Sequence, residues 1–229
     1  MPRPGDPSCV CHETRAQFHE DCKLLPLLLT LAPFTSGRFV ELGALDGISG
    51  SNTYALEKCL NWRGLLIEAN PESFSKLQTS GRSAAKEHSA VCQGHGHVNI
   101  TKHGGVFAGV PETMAPAYIR QWGKRIPKRK EVVEVPCRSL TSLMQDNGLS
   151  RAEFLSLDVQ GAEEVVLRAV NPSVFKLIMV EMDRSDKKKE QRIDVLLHES
   201  GFEQTNASFR VPYSAVYIAK STWSRHALR

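Results

Sequence analysis

The sequence predicts an α/β fold with a mostly parallel sheet, and three observations support that prediction. Short apolar runs with the pattern of buried strands alternate with helical segments along most of the chain. The first strand, R-F-V-E-L at 38–42, runs into a glycine-rich turn and then a helix start. Strand ends carry carboxylates, at Glu41, Glu68, Asp158 and Glu181. Ligands of open α/β sheets bind at the carboxyl ends of the strands, so these acids indicate a binding crevice.

Length and composition fit one domain with a sizeable core. The chain has 229 residues, of which 41% are hydrophobic. We predict an N-terminal helical extension at 1–37 and a single α/β domain at 38–229. In the extension, helical periodicity covers 14–31, where Pro26 makes two short helices as compatible as one. The net charge of +4, from 29 basic and 25 acidic residues, does not by itself indicate a nucleic-acid partner.

Apolar segments and cysteines bear on the location of the protein. No apolar run approaches the length of a membrane helix, about 20 residues, and the N-terminus lacks the apolar core of a signal peptide. We therefore expect a soluble, cytoplasmic protein. Six cysteines are scattered along the chain, and reduced thiols are expected. The N-terminal C-V-C-H, with His19 and Cys22 nearby, matches no standard zinc spacing, so no metal site is predicted.

The turn after the first strand has the features of a nucleotide pocket. The strand, with Glu41 near its end, meets a turn that contains three glycines. Ser51, Asn52 or Thr53 is placed to cap the helix that follows, predicted at 54–60. The candidate binding residues of this turn are Glu41, Gly43, Ala44, Asp46, Gly47, Asn52 and Thr53.

Charge indicates which nucleotide the turn would bind. A dinucleotide fingerprint needs a second glycine where Leu45 stands, and Asp46 follows it. A carboxylate there would repel a pyrophosphate, whereas S-adenosylmethionine carries an ammonium and a sulfonium that Glu41 and Asp46 would attract. The acidic turn therefore favours a methyl donor over NAD.

A second strand end supports the same pocket. The run R-G-L-L-I-E-A at 63–69 is apolar and ends in Glu68 and Ala69. Glu68 follows Gly47 by about twenty residues, the offset at which an acid reaches the ribose hydroxyls in doubly wound folds. Asn70 and Pro71 then end the strand and begin the next helix. Glu68 and Ala69 are therefore candidate cofactor contacts.

Three segments carry a family resemblance. They read F-V-E-L-G-A-L-D-G with S-N-T, then G-L-L-I-E-A-N-P, and far downstream L-S-L-D-V-Q-G-A-E-E-V-V-L. The chain resembles the FkbM-family S-adenosylmethionine-dependent methyltransferases over roughly 38–205. It departs from the family where Gln160 replaces a usual acid, which puts catalysis by that position in doubt. Ser89 stands where asparagine is frequent, which loosens the adenine contact.

The resemblance implies a Rossmann-like class I methyltransferase fold. Seven mostly parallel strands would have helices on both faces and end in a C-terminal antiparallel hairpin. The cofactor implied is S-adenosyl-L-methionine. In the family, residues at the end of the third strand, predicted at 87–92, line the adenine, and this makes Ser89 and Ala90 candidates; an ordinary strand end is the alternative. Further predicted elements are short strands at 98–100 and 106–107, an extended segment at 132–135 and a helix at 139–147.

The candidate catalytic residues are Asp158, Glu181 and His103. Asp158 and Glu181 end the fourth and fifth core strands, where a base could receive the proton that an acceptor loses on methylation. Asp158 is as well placed to contact the cofactor as to act as the base. His103 precedes two glycines near the expected pocket mouth, although loop histidines are commonly solvated.

The segment 111–130 is the candidate substrate lid. The core does not need it, and a helix at 115–122 would place Tyr118 and Trp122 on one face. A solvated basic loop is the alternative. The resemblance implies an O-methyltransferase with a small-molecule or carbohydrate acceptor, with nucleic acid unlikely. Two other hypotheses are a non-catalytic module that keeps the fold and an RNA methyltransferase using the basic stretch near Lys124.

Overall fold

The computed structural model of the chain describes residues 5–32, 35–103, 105–125, 131–182, 184, 186–205 and 209–222. Ten strands occur in these ranges: β1 Arg38–Leu42, β2 Arg63–Glu68, β3 Ala85–His88, β4 Ala90–Val91, β5 His95–Thr101, β6 Val132–Arg138, β7 Ala152–Leu157, β8 Phe175–Glu181, β9 Phe202–Gln204 and β10 Ser214–Ala219. The α-helices are α1 Ser8–Glu13, α2 Glu20–Leu31, α3 Tyr54–Leu60, α4 Pro71–Gln78, α5 Pro116–Trp122, α6 Leu140–Asp146, α7 Glu163–Ala169 and α8 Lys187–Glu199.

Seven strands form the main sheet in the order β3-β2-β1-β7-β8-β10-β9. Strands β3, β2, β1, β7 and β8 are parallel, whereas β10 runs antiparallel to both β8 and β9. This arrangement confirms the predicted seven-stranded, mostly parallel sheet with a C-terminal antiparallel pair. The order reverses between β1 and β7, so the ends of these two strands are where a ligand crevice is expected.

Alternating side chains of the buried strands fill two cores, one on each face of the sheet. Phe39 of β1 and Phe154 of β7 belong to the core covered by α1, α2 and α3. Val40 and Leu155, the next residues along the two strands, belong to the core covered by α6, α7 and α8. The sheet is thus buried on both faces, as its apolar strand sequences predict.

A second, three-stranded sheet has the order β4-β6-β5. The third strand, predicted as continuous over 87–92, is interrupted at Ser89, which separates β3 in the main sheet from β4 in the small one. The predicted strand at 106–107 is wrong, because Gly105–Phe107 forms a 3-10 turn. The extended segment predicted at 132–135 continues past Pro136 to Arg138, and the whole of it forms β6.

The helical segment predicted at 14–31 begins only at Glu20, as α2, and another helix, α1, lies before the predicted range at Ser8–Glu13. His19 adopts a left-handed backbone, with φ of 59°, and ends the connection between them. Pro26 lies inside α2 without splitting it. Among the described residues, no helix has both the length and the apolar character needed to cross a bilayer.

The expectation of reduced thiols is wrong, because all six cysteines are paired. Cys9 bonds to Cys59, Cys11 to Cys22, and Cys92 to Cys137. The first pair joins α1 to α3, and the second closes a loop between α1 and α2. Scattered positions in the sequence did not reveal partners that are up to 50 residues apart.

Candidate functional site

A cavity of about 750 Å³ lies along the carboxyl ends of the parallel strands. Its wall includes the predicted acids of four strand ends: Glu41, Glu68, Asp158 and Glu181. The ends of β1 and β7 meet closely here, because a Cβ on Gly43 would lie 1.7 Å from the Asp158 carbonyl oxygen. Gly43 also has a φ of +77°, so glycine is required at this position for two reasons. The size is within the range of small-molecule and cofactor sites.

Glu41 organises the glycine turn. Its carboxylate accepts hydrogen bonds from Ser51 Oγ at 2.8 Å, from the Asn52 backbone N–H at 2.8 Å and from Thr53 Oγ1 at 2.5 Å. Ser51 Oγ in turn accepts the N–H of Tyr54 at 3.1 Å. The Ser51 side chain therefore caps α3, although Thr53 is the residue directly before this helix. The carboxylate that was predicted as a ligand contact therefore also shapes the turn.

Arg82, which the sequence does not single out, stabilises the same turn from outside the cavity. The guanidinium is buried and donates to the Gly47 carbonyl oxygen at 2.6 Å and to Thr53 Oγ1 at 3.0 Å. It also forms an ion pair with Glu57 at 2.9 Å. Gly47 and Thr53 are accordingly engaged with Arg82, and neither lines the cavity. No local pattern marks Arg82, because it is distant in sequence from the groups that it binds.

Asp46 also lies off the cavity wall. Its carboxylate accepts the N–H groups of Ile48 at 2.9 Å and Ser49 at 2.7 Å. Burial opposes ionisation of Asp46, but these hydrogen bonds outweigh burial and lower its pKa. The group is therefore a stable anion inside the turn.

Glu68 at the end of β2 faces the cavity and is almost fully buried. Its two oxygens accept the N–H groups of Leu45 at 2.8 Å and Asn70 at 2.7 Å. Burial raises the pKa of Glu68 to about 7, and the negative charge of Asp158 adds to the rise. Each carboxylate oxygen has two lone pairs, so both can still accept a hydrogen bond from a ligand.

Asp158 and Glu181 lie next to each other at the ends of β7 and β8, with carboxylate oxygens within 4.8 Å of each other. Gln160 bridges the pair, since its Nε2 donates to Asp158 Oδ1 at 2.6 Å and to Glu181 Oε2 at 3.1 Å. Tyr118 of α5 donates its hydroxyl to Gln160 Oε1. Burial raises the pKa of Asp158 most, and the charges of Glu163 and Glu41 add to it. The arrangement can hold or receive a proton at the cavity wall.

A buried ion pair supports the turn that carries Gln160. Glu163 Oε1 accepts the Gly161 N–H at 2.9 Å, while Oε2 pairs with Lys189 Nζ at 2.8 Å. Both charged side chains are less than a tenth exposed. The sequence predicts a solvated first helical turn for the lysine run at 187–189. That prediction is wrong for Lys189, which is buried, whereas Lys187 and Lys188 are exposed as expected.

We expect Lys189→Met to lower the free energy of unfolding by about 3–5 kcal/mol, because it leaves the Glu163 carboxylate buried without this partner. Urea denaturation at constant pH measures the change. The matched control is Lys188→Met on the exposed side of the same helix, for which a change of about 0.5 kcal/mol or less is expected. Equal stability of the two variants would contradict a supporting role for the pair.

His103 does not line the cavity. Its Nδ1 lies 3.0 Å from a Glu72 carboxylate oxygen, and its Nε2 lies 3.3 Å from one of Glu131. These contacts place His103, in the loop after β5, between two acids. The structure thus gives His103 no contact with the group formed by Asp158, Gln160 and Glu181.

The cavity wall contains most of the predicted site residues and several others. Lining residues among the candidates are Glu41, Gly43, Ala44, Asn52, Glu68, Ala69, Ser89, Ala90, Asp158 and Glu181. From the predicted lid, Tyr118, Gln121, Trp122 and Arg125 also line it, and α5 corresponds to the predicted lid helix. The lid residues at 126–130, including Lys128, Arg129 and Lys130, lie outside the described part of the chain. Gln17, Phe18, Glu20 and Tyr213 line the cavity without having been predicted.

Comparison with known proteins places the chain in a family. Residues 41–204 match the family described as the methyltransferase FkbM domain. The chain belongs to the FkbM methyltransferase family. The matched range contains the glycine turn, the four acidic strand ends and the predicted lid segment at 111–130. The cofactor of this methyltransferase domain is S-adenosyl-L-methionine.

Individual proteins resemble parts of this FkbM-family chain. Mouse GPI ethanolamine phosphate transferase 3, catalytic subunit, is 33% identical over 104 residues, which are 43% of this chain and 10% of the mouse protein. The solved methyltransferase FkbM of Methylobacillus flagellatus KT is 11% identical with a TM-score of 0.45, and the match covers 93% of this chain and 57% of that one. Aeropyrum pernix fibrillarin, solved with natively bound S-adenosyl-L-methionine, is 13% identical with a TM-score of 0.42, covering 82% and 69% of the two chains. This chain thus spans a tenth of the mouse protein and just over half of the Methylobacillus protein.

Proposed function

We propose that the cavity is a methyl-transfer site and that the chain methylates a hydroxyl of a small-molecule or sugar-type acceptor. The observation that carries this proposal is the adjacent, half-buried carboxyl pair of Asp158 and Glu181, which lines the same cavity as Glu68. A donor held by Glu68 and an acceptor held near the pair would then meet in a single enclosed space.

The residues of the cavity fit S-adenosylmethionine. Glu68 offers two buried carboxylate oxygens at the strand end where an acid binds ribose hydroxyls in doubly wound folds. Asn52 donates through Nδ2 to Ser156 Oγ at 3.0 Å, while its buried Oδ1 has no hydrogen-bond partner. A free acceptor oxygen suits the donor's ammonium group. The carboxylates of the wall suit a cationic ligand and disfavour a pyrophosphate.

Ser89 and Ala90 would border the adenine. Ser89 is buried, and its hydroxyl is turned to backbone, donating to the Ala90 carbonyl oxygen at 2.6 Å. The break between β3 and β4 occurs here and brings both residues to the cavity wall. The remaining turn residues, Asp46, Gly47 and Thr53, would shape the donor site through the backbone of the turn and not by direct contact.

When bound, the donor supplies an electrophilic sulfonium methyl group. Asp158 and Glu181 would receive the proton that the acceptor hydroxyl loses, since burial has already raised the proton affinity of Asp158. Gln160 holds both carboxyl groups in place, and the Tyr118 hydroxyl fixes Gln160. The amide at position 160 would therefore orient the base where relatives carry an acid.

The disulfides lead us to propose an oxidising compartment in place of the cytoplasm. Disulfides form and persist in secretory or extracellular environments and are rare in the cytosol. All six cysteines of this chain are paired, in three bonds that connect different elements. Mass spectrometry of the chain isolated from its own cells after alkylation of free thiols would test this; labelling of most cysteines would contradict it.

Donor binding tests the proposed function at Glu68. We expect Glu68→Ala to weaken S-adenosylmethionine binding at least about tenfold, because two hydrogen bonds to the ribose diol are lost. In the intact chain, affinity should fall as pH drops below about 7, since protonation of Glu68 removes acceptor capacity. Isothermal titration calorimetry at pH 6 and pH 8 measures both effects, and the variant should lose this contribution to the pH dependence.

Glu72→Ala is the matched control for Glu68→Ala. Glu72 lies only four positions further along the chain, but it is half exposed and pairs with His103 outside the cavity. The Glu72→Ala variant should bind the donor with the same affinity as the intact chain. Unchanged affinity in Glu68→Ala would contradict the donor-site assignment. Binding without any transfer to a broad set of hydroxyl acceptors would favour the non-catalytic module.

A further inference from the structure

Residues 14–20, which are the connection between α1 and α2 and the first residue of α2, form part of the cavity wall. We call this segment the strap. Gln17, Phe18 and Glu20 of the strap line the cavity, although they precede the region that matches the family. The sequence predicts that these residues belong to a helical extension outside the domain, whereas the structure places them at the cavity wall.

The strap contacts both sides of the site. Ala16 forms a parallel β-bridge with Gly50 of the glycine turn, next to the Ser51 and Asn52 that line the cavity. On the other side, the Phe18 ring lies 5.5 Å from the Tyr213 ring, centroid to centroid. Tyr213 lines the cavity just before β10, the neighbour of β8. The strap thus links the glycine turn to the strand end that carries Glu181.

Internal hydrogen bonds hold the strap in this conformation. The buried Glu20 carboxylate accepts the Phe18 backbone N–H at 2.8 Å. Asp21 Oδ1 accepts the Thr14 hydroxyl at 2.5 Å, and Thr14 Oγ1 accepts the Ala16 N–H at 3.3 Å. These bonds turn the chain so that the Phe18 side chain reaches the cavity.

Two disulfides close and anchor the strap. Cys11 and Cys22 flank it, so their bond makes the strap a short covalent loop. Cys9 and Cys59 join α1 to α3, the helix that begins at the glycine turn. The Gly5 N–H also donates to the Cys59 carbonyl oxygen at 2.7 Å. A short closed loop has few alternative conformations, which favours a fixed wall.

We infer that the strap is a built part of the donor site and that donor affinity requires its disulfides. Phe18 and Glu20 form the wall beside the glycine turn, and the Ala16 to Gly50 bridge holds that turn in its binding conformation. The inference rests on the proposed function, because the ligand is the methyl donor. It assigns a binding role to a segment outside the family match and makes the site dependent on oxidised cysteines.

Calorimetry with S-adenosylhomocysteine, the demethylated form of the donor, tests the inference on the oxidised chain. We expect the double variant C11A/C22A to bind at least about tenfold more weakly than the intact chain. Phe18→Ala keeps both disulfides and should bind about fivefold more weakly, because it removes one wall of the cavity. Arg15→Ala is the control, since Arg15 belongs to the strap but does not line the cavity, and it should bind as the intact chain does.

Circular dichroism and thermal melting establish whether each variant is folded. If C11A/C22A does not fold, Phe18→Ala and Arg15→Ala still decide the matter. Normal binding by folded Phe18→Ala and C11A/C22A would overturn the inference while leaving the proposed function intact. Absence of binding by the intact, oxidised chain would overturn the proposed function and the inference together.

Discussion

Asp158→Asn is expected to lower the turnover number about 10²-fold or more while leaving donor affinity nearly unchanged. The amide keeps the shape of the carboxyl group but cannot accept the acceptor's proton. In the intact chain, kcat/KM should rise with pH at values above the ordinary range of an aspartate, because burial raises the pKa of Asp158 and the base must be ionised. The variant should lose this rising limb. A methylation assay with labelled donor between pH 5 and pH 8 measures both effects.

Glu164→Gln is the matched control for Asp158→Asn. It is also a change from carboxylate to amide near the Gln160 turn, but Glu164 pairs with Arg168 and Arg192 and does not line the cavity. Its turnover and pH profile should match those of the intact chain. A large loss of donor affinity in Asp158→Asn, with turnover retained at saturating donor, would show instead that Asp158 holds the donor.

The strand-end acids were predictable because their signal is local. A buried parallel strand is an apolar run of a few residues, and the residue that follows it lies at the sheet edge whatever the rest of the chain does. Glu68 and Asp158 therefore reach the cavity as predicted, and Glu41 does so while also organising the turn. The glycine turn was predictable for the same reason, because its glycines directly follow the strand in the sequence. The structure adds that Gly43 has no space for a side chain.

The unpredicted part of the site depends on contacts between distant segments. Disulfide connectivity cannot be deduced from cysteine positions alone, so the sequence predicts only an N-terminal extension for the strap and does not place Phe18 at the cavity. The one sequence signal was that Cys11 and Cys22 flank it. Arg82 binds a turn that lies about 30 residues earlier in the chain. Lys189 is buried in an ion pair with Glu163 of a neighbouring helix. Helical periodicity predicts which face of a helix is buried, but not which charged residue of another helix lies against that face.

The predicted lid segment contributes aromatic and cationic side chains to the cavity wall. Trp122 of α5 stacks on Phe107 with ring centroids 5.3 Å apart, and the Arg125 guanidinium lies 4.9 Å from the centre of the Trp122 ring. Tyr118 connects the same helix to Gln160 and thereby to Asp158 and Glu181. We propose that this aromatic and cationic surface, in the same cavity as the carboxyl pair, suits an acceptor that carries a ring and a negative charge.

Replacing residues 115–130 with a short glycine-serine linker is therefore expected to abolish methyl transfer, by about 10²-fold or more, while donor affinity stays within about twofold. Trp122→Ala should raise the acceptor KM about tenfold, and Trp122→Phe should recover most of the loss, because a flat ring is restored. The acceptor KM of the intact chain should also rise with salt if Arg125 attracts a negative acceptor. The assay uses labelled donor and whichever acceptor the intact chain methylates. Full activity of the linker variant would contradict a lid.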